Sequence, residues 1–214
     1  MTGPVRHFTP SPAAEPSRRV YDASGLPTVG FGPKSIMWWG VLGFMLIEGT
    51  TIGTAVGSYL YLSGIEPQWP PPRTAYPGLL VPSLKVLVLL ASVLPSVLAD
   101  KAARRFDFRG MRRLETIMAV IGLVVVALQF LELRNANIHW DAHAYGSAVW
   151  LVLIAYFLLL ATDVAETVVF AVLLHRGPVQ ESHFPDASDN SVYWFFSVVT
   201  GILTSALVAL VPRL

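Results

Sequence analysis

Long apolar runs separated by short polar breaks dominate the chain. Five stretches reach the length needed to cross a bilayer, about 20 residues at about 1.5 Å each. They span residues 35–63, 79–99, 114–133, 147–174 and 192–211. The runs lack the two-residue alternation of barrel strands, and a chain in lipid must satisfy its own backbone polar groups. The pattern therefore predicts an all-α, polytopic membrane protein with five transmembrane helices. Residues 34–214 form that transmembrane domain. Residues 1–33 are a polar tail rich in Pro, Ser and Gly, without the apolar core of a signal peptide, and read as a disordered or loosely docked arm. The Trp69–Pro72 segment, WPPP, is an extended loop, because consecutive prolines remove donors and forbid helix.

Composition agrees. Of 214 residues, 54% are hydrophobic and 14% charged, with mean hydropathy +0.57, where a soluble domain carries about 25% charge. A net charge of +1 points to no nucleic-acid partner. The chain has no cysteine, which excludes disulfides, iron–sulfur clusters, thiolate copper centres and a Cys nucleophile.

Charge also sets an orientation. With a cytoplasmic N-terminus, that side receives Arg6, Arg18, Arg19, Lys34, Lys101, Arg104, Arg105, Arg109, Arg112, Arg113 and Arg176. The other side receives only Arg73, Arg134 and Arg213. The positive-inside rule then predicts the N-terminus in the cytoplasm and the C-terminus outside. Trp38, Trp39, Trp69, Trp140, Trp150 and Trp194 lie near predicted span ends, as an interfacial belt requires.

Acids inside the spans are the chemical anomaly. Asp163 and Glu166 interrupt an apolar run from Ala148 to Leu174, and Glu48 sits near the middle of the first span. A carboxylate such as Asp costs about 3 kcal/mol at a span centre. At i and i+3, Asp163 and Glu166 are expected to share one helix face. Two readings stay open. The acids form a proton site, an ion path or a partner contact, or they are neutral carboxyls that hydrogen-bond helix to helix. Gly49, Thr50, Thr51, Gly53 and Thr54 follow Glu48 and would allow close helix approach with hydroxyl partners. Glu166 has Thr167 beside it. Lys85, within two turns of the start of its span, is expected to snorkel outward.

Of the histidines, His7, His139, His143, His175 and His183, none lies deep in a span, so no facing pair is placed to clamp a haem. His139 and His143 flank Asp141 in a loop, where such a pair is more often solvated than metal-bound. No nucleotide loop, nucleophile elbow or zinc-protease motif occurs.

Taken in order, the motifs from Trp38 to Leu214 resemble the cytochrome c oxidase subunit III family of the haem–copper oxidases, in its short five-helix form. "WWGVLGFMLIEG" matches a Trp-Gly and Leu-Ile-x-Glu pattern that puts Glu48 at the family's buried glutamate, and "QWPPP" matches a Trp-Pro-Pro loop. "VPSLKVLVLLAS" resembles Pro-x-x-Asn-Thr-Leu-x-Leu-x-x-Ser with Lys85 at the Asn, and "LQFLELR" resembles Leu-Gln-x-x-Glu-Tyr, carrying Gln129 and Glu132. "WDAHAYGSAVW" is similar to Asp-x-x-Tyr-Gly-Ser, mapping Asp141, Tyr145, Gly146 and Ser147, and "NSVYWFFSVVTGILTSAL" is similar to the family's last helix. The departures are specific. The family's His-x-x-His-Val is Asp163-x-x-Glu166-Thr here, a histidine pair is Asp100-Lys101, and the last helix lacks its His and Asp.

The resemblance implies an accessory role. Such a subunit carries no cofactor of its own, with haem and copper held by its partners. It packs on the catalytic subunit I, with subunit II in the same complex, holds phospholipids and supports proton uptake and complex stability. Glu48, Asp163, Glu166, Gln129 and Glu132 are the candidate proton or lipid-cleft residues, and the expected location is a bacterial plasma membrane. The alternatives are a subunit III-like partner of a nitric oxide reductase and a free-standing proton-coupled carrier. Against the carrier, the chain has no internal repeat and no matched pair of broken helices.

Overall fold

A computed structural model describes residues 30–177, 180–181 and 183–213; the expectation of a polar arm falls almost wholly on residues outside that range. The described chain is all-helical. Its helices are α1 (Ile36–Ile65), α2 (Leu80–Arg104), α3 (Phe108–Arg134), α4 (Ala144–Arg176) and α5 (His183–Leu210). All five are long and apolar enough to cross a membrane.

Local chemistry sets the starts. Ser35 Oγ accepts from the Met37 N–H at 3.2 Å, Asp107 from Gly110 at 3.1 Å, and His143 Nδ1 from Gly146 at 2.9 Å. Each satisfies one of the donors a helix start leaves open. Two helices begin earlier than hydropathy predicts. The first turns of α3 are the basic segment FRGMRR, and those of α5 are HFPDASDN. The latter is polar, yet Ser188, Asp189, Asn190 and Ser191 are buried. They face protein rather than lipid, which a hydropathy window cannot register.

The helices form a ring in the order α1, α4, α3, α2, α5, closed by contact of α5 with α1 and crossed by contact between α4 and α5. The middle of the bundle is apolar: Leu89, Met118, Val125, Tyr156, Leu160, Val164 and Trp194 form one buried cluster. Two glycines permit close approach. A Cβ on Gly122 would stand 2.9 Å from Val164 Cγ2, and one on Gly201 would overlap the Tyr156 hydroxyl and Leu89. At the end where α1 and α3 stop, Tyr59, Trp69 and Tyr145 pack edge to face, with centroids 5.3 and 5.0 Å apart around Trp69. Arg213 fastens the chain there, donating to the Pro77 carbonyl at 2.5 Å and lying over the Tyr76 ring.

Helix α1 stands apart. It buries only Ile52, Ala55 and Tyr59, whereas α4 and α5 bury side chains along their whole lengths. Trp194 also departs from expectation. It is fully buried, twelve residues into α5, and its indole donates to Ser92 Oγ at 2.8 Å, so it belongs to the core and not to the interfacial belt. Trp39 and Trp140 are exposed near helix ends.

Candidate functional site

The polar side chains that hydropathy flags as anomalies gather into two clusters. The first joins α2, α3 and α4. Lys85 does not snorkel: its side chain is wholly buried. Its Nζ donates to Gln129 Oε1 at 2.5 Å and pairs with Glu132 Oε2. Gln129 Nε2 donates onward to the Leu153 carbonyl at 3.3 Å, and the Lys85 ammonium lies 5.0 Å from the Tyr156 ring centroid. The expected escape to water fails because acceptors converge on the ammonium from the next helix. Gln129 and Glu132, three residues apart on α3, present one face to Lys85. Glu132 also lines a cleft of about 220 Å³ that opens among Pro77, Gly78, Asn135 and Asn137.

The second cluster joins α1, α4, α5 and α3. Glu48 accepts from Thr162 Oγ1 at 3.1 Å and from the Tyr193 hydroxyl, so one carboxylate ties α1 to both α4 and α5. Asp163 accepts from Ser197 and is fully buried. Deeper toward the end where α3 and α5 begin, Asn190 Nδ2 donates to Glu115 Oε2 at 3.0 Å, and Thr167 donates to Asn190 Oδ1 at 3.1 Å. Glu48, Glu115 and Glu166 all lie within electrostatic range of Asp163. Among the described residues no ion pair reaches any of these four acids.

Asp163 and Glu166 do not share an environment. Asp163 points into the bundle while Glu166 is exposed, because a step of three residues turns the helix about 60° short of a full circle, enough to carry the second acid off the packed stripe. Thr167 bonds Asn190 rather than Glu166. Thr50, Thr51 and Thr54 spend their hydroxyls on carbonyls one turn back in α1, so the partners of Glu48 come from α4 and α5. His143 is occupied as a helix cap and by Thr74 Oγ1 at 3.2 Å. Among the described residues no group of three or more His, Asp or Glu is placed to hold a metal ion.

Sequence reasoning passes over Glu115, Asp189, Asn190, Tyr193 and Ser197. Glu115 and Asn190 lie at the polar margins of predicted spans, where burial against another helix leaves no trace in hydropathy. Chemically, the second cluster offers carboxyls faced by hydroxyl and amide groups, an arrangement suited to holding protons and joining helices. The first is an internally neutral staple.

No family model matches the chain. It is similar to cytochrome c oxidase subunit 3 of Thermostichus vulcanus, 26% identical over 183 residues that cover 81% of this chain and 87% of that protein. It is also similar to cytochrome c oxidase subunit 3 of Synechocystis sp., 25% identical over 182 residues, 84% of this chain and 77% of that protein.

Proposed function

The chain is a divergent member of the cytochrome c oxidase subunit III family, and from that premise we propose that it is a non-catalytic subunit of a respiratory haem–copper oxidase. It packs on catalytic subunit I, with subunit II in the same complex, and sits in a bacterial plasma membrane with its N-terminus in the cytoplasm. The observation that carries this reading is a likeness to two oxidase subunits that extends over most of both chains. The polar clusters support it, since their partners are other helices of this chain.

In this role Glu48, Asp163 and Glu166 form the proton or lipid-cleft side next to α1, with Asp163 inside the bundle and Glu166 at its surface, and Gln129 and Glu132 fix the position of Lys85. Phospholipids fill the apolar grooves beside α1 and α5, such as the one of about 570 Å³ lined by Gly49, Ile52, Phe196 and Leu203. Haem and copper belong to the partners. The subunit contributes to proton uptake and to the durability of the complex.

Purification in mild detergent through a tag on this chain, followed by an optical redox difference spectrum, tests the assignment. The expected result is a haem signal with larger subunits in stoichiometric amount, with bands of an oxidase rather than a nitric oxide reductase. A colourless 23.4 kDa protein that moves protons alone in liposomes, and ceases to do so as Glu48→Gln, would replace this reading with a carrier. Orientation is tested separately. A cysteine at Gln68 should react with an impermeant reagent added to intact cells and one at Arg105 should not; the reverse labelling overturns the topology.

A further inference from the structure

A groove of about 440 Å³ runs between the first turns of α1, the last turns of α4 and the first turns of α5. Its walls are apolar, including Met37, Val41 and Val169, and its polar lining includes the acids Glu166, Asp186 and Asp189. Among the described residues no Lys, Arg or His lines it. Asp189 is the distinctive member. It is 3% exposed, and neither carboxylate oxygen has a hydrogen-bond partner. A buried carboxylate without a partner is costly, and such groups are ordinarily satisfied.

None of its neighbours donates to it, since their hydrogen bonds run elsewhere. Asn190, also in the lining, has both ends of its amide engaged by Glu115 and Thr167. Arg104, whose charge reaches Asp189, is bonded to Asp100 and to Ser188. Asp186 adds its own negative charge beside both Asp189 and Glu166, and the charge of His183 reaches Asp186. Among the described residues, then, no cation lines the groove, and the charges of Arg104 and His183 act on its acids from outside it.

We propose that this groove receives a basic side chain, an arginine or lysine projecting from a membrane helix of the partner on which the chain packs. This deepens the accessory-subunit reading and rests on it. An aliphatic stem matches the apolar walls while a charged head meets the carboxylates. A phospholipid with an amine headgroup fits less well, because its phosphate would enter among three acids with no basic residue to receive it. An inorganic cation is disfavoured because among the described residues the acids do not converge as a metal-binding group.

The test uses the complex purified from native membranes through a tag on this chain. A photo-crosslinking benzoylphenylalanine replaces Val169, which lines the groove and is 58% exposed, so the bulk is accommodated at the surface. The expected adduct, identified by mass spectrometry, is a partner peptide with Arg or Lys within about one helical turn of the crosslink. Asp186→Asn combined with Asp189→Asn should lower the partner retained on the tag at least about tenfold, as truncating one side of a buried charge pair predicts. If that variant does not fold, the crosslink alone decides. A phospholipid adduct, a partner peptide without a basic residue, or undiminished retention by the folded variant overturns the proposal while leaving the accessory role intact. A wild-type chain that brings no haem protein defeats the accessory role instead; the crosslink then judges the groove by the same criterion against whatever membrane protein it captures.

Discussion

The two buried polar clusters differ in one respect that governs everything else about them: one contains a cation. Lys85, Gln129 and Glu132 make a set in which charge is balanced across α2 and α3, with Glu132 Oε1 left without a hydrogen-bond partner. Glu48, Asp163 and Glu115 are met by Tyr193, Thr162, Ser197 and Asn190, all neutral. Removing the charge from one side of a buried ion pair leaves the other ion stranded, whereas a carboxyl faced by neutral donors loses little as its amide. The first cluster is thus held by an ion pair, and the second, among the described residues, contains none to break. Only the second also touches α1, the helix least held by packing.

The contrast can be broken most forcefully at Lys85. Lys85→Met strands Glu132 and should cost about 3–5 kcal/mol in unfolding by denaturant titration in mixed micelles, while Lys85→Met with Glu132→Leu should recover most of the loss. A single-variant cost no larger than that of the double variant would show that the pair is not a staple. Next in size is overpacking. Gly201→Ala should cost about 1–3 kcal/mol because it displaces Tyr156 and Leu89, whereas Gly53→Ala, with open space around it, should cost nothing in the same titration. Tyr193→Phe should remove about 1 kcal/mol and do so locally: hydrogen exchange should accelerate in α1 and leave α3 unchanged. The smallest effect is expected from Asp163→Asn or Glu115→Gln, at most about 0.5 kcal/mol each since an acceptor oxygen remains for the neighbouring donor. A loss from either as large as that from Lys85→Met would erase the distinction between the clusters.

Much of this was legible in the residues. Five apolar runs of bilayer length become five helices, and the ordered motifs from Trp38 onward lead to the family that the relatives support. Lys85 departs from the expected snorkelling because its distance from the span start is visible in sequence, while the acceptors on α3 become its partners only once α2 and α3 pack. The same holds for Asp163 and Glu166. Their spacing places both acids near one side of α4, but which edge of that side is buried depends on where α5 docks. Hydropathy places Trp194 at the interface because it starts the last span at 192, whereas the buried polar turn before it already belongs to α5. Glu115 and Asp189 had no sequence-level mark beyond being charged residues near span ends. What hydropathy cannot distinguish is a polar residue facing water from one facing another helix.

Oxygen uptake by membranes from cells lacking this chain, with haem content measured in parallel, tests the central claim most directly. The account predicts that sustained uptake per oxidase haem falls and that the wild-type chain, supplied in trans, restores it. Uptake per haem that stays unchanged through prolonged turnover in the absence of the chain would contradict it.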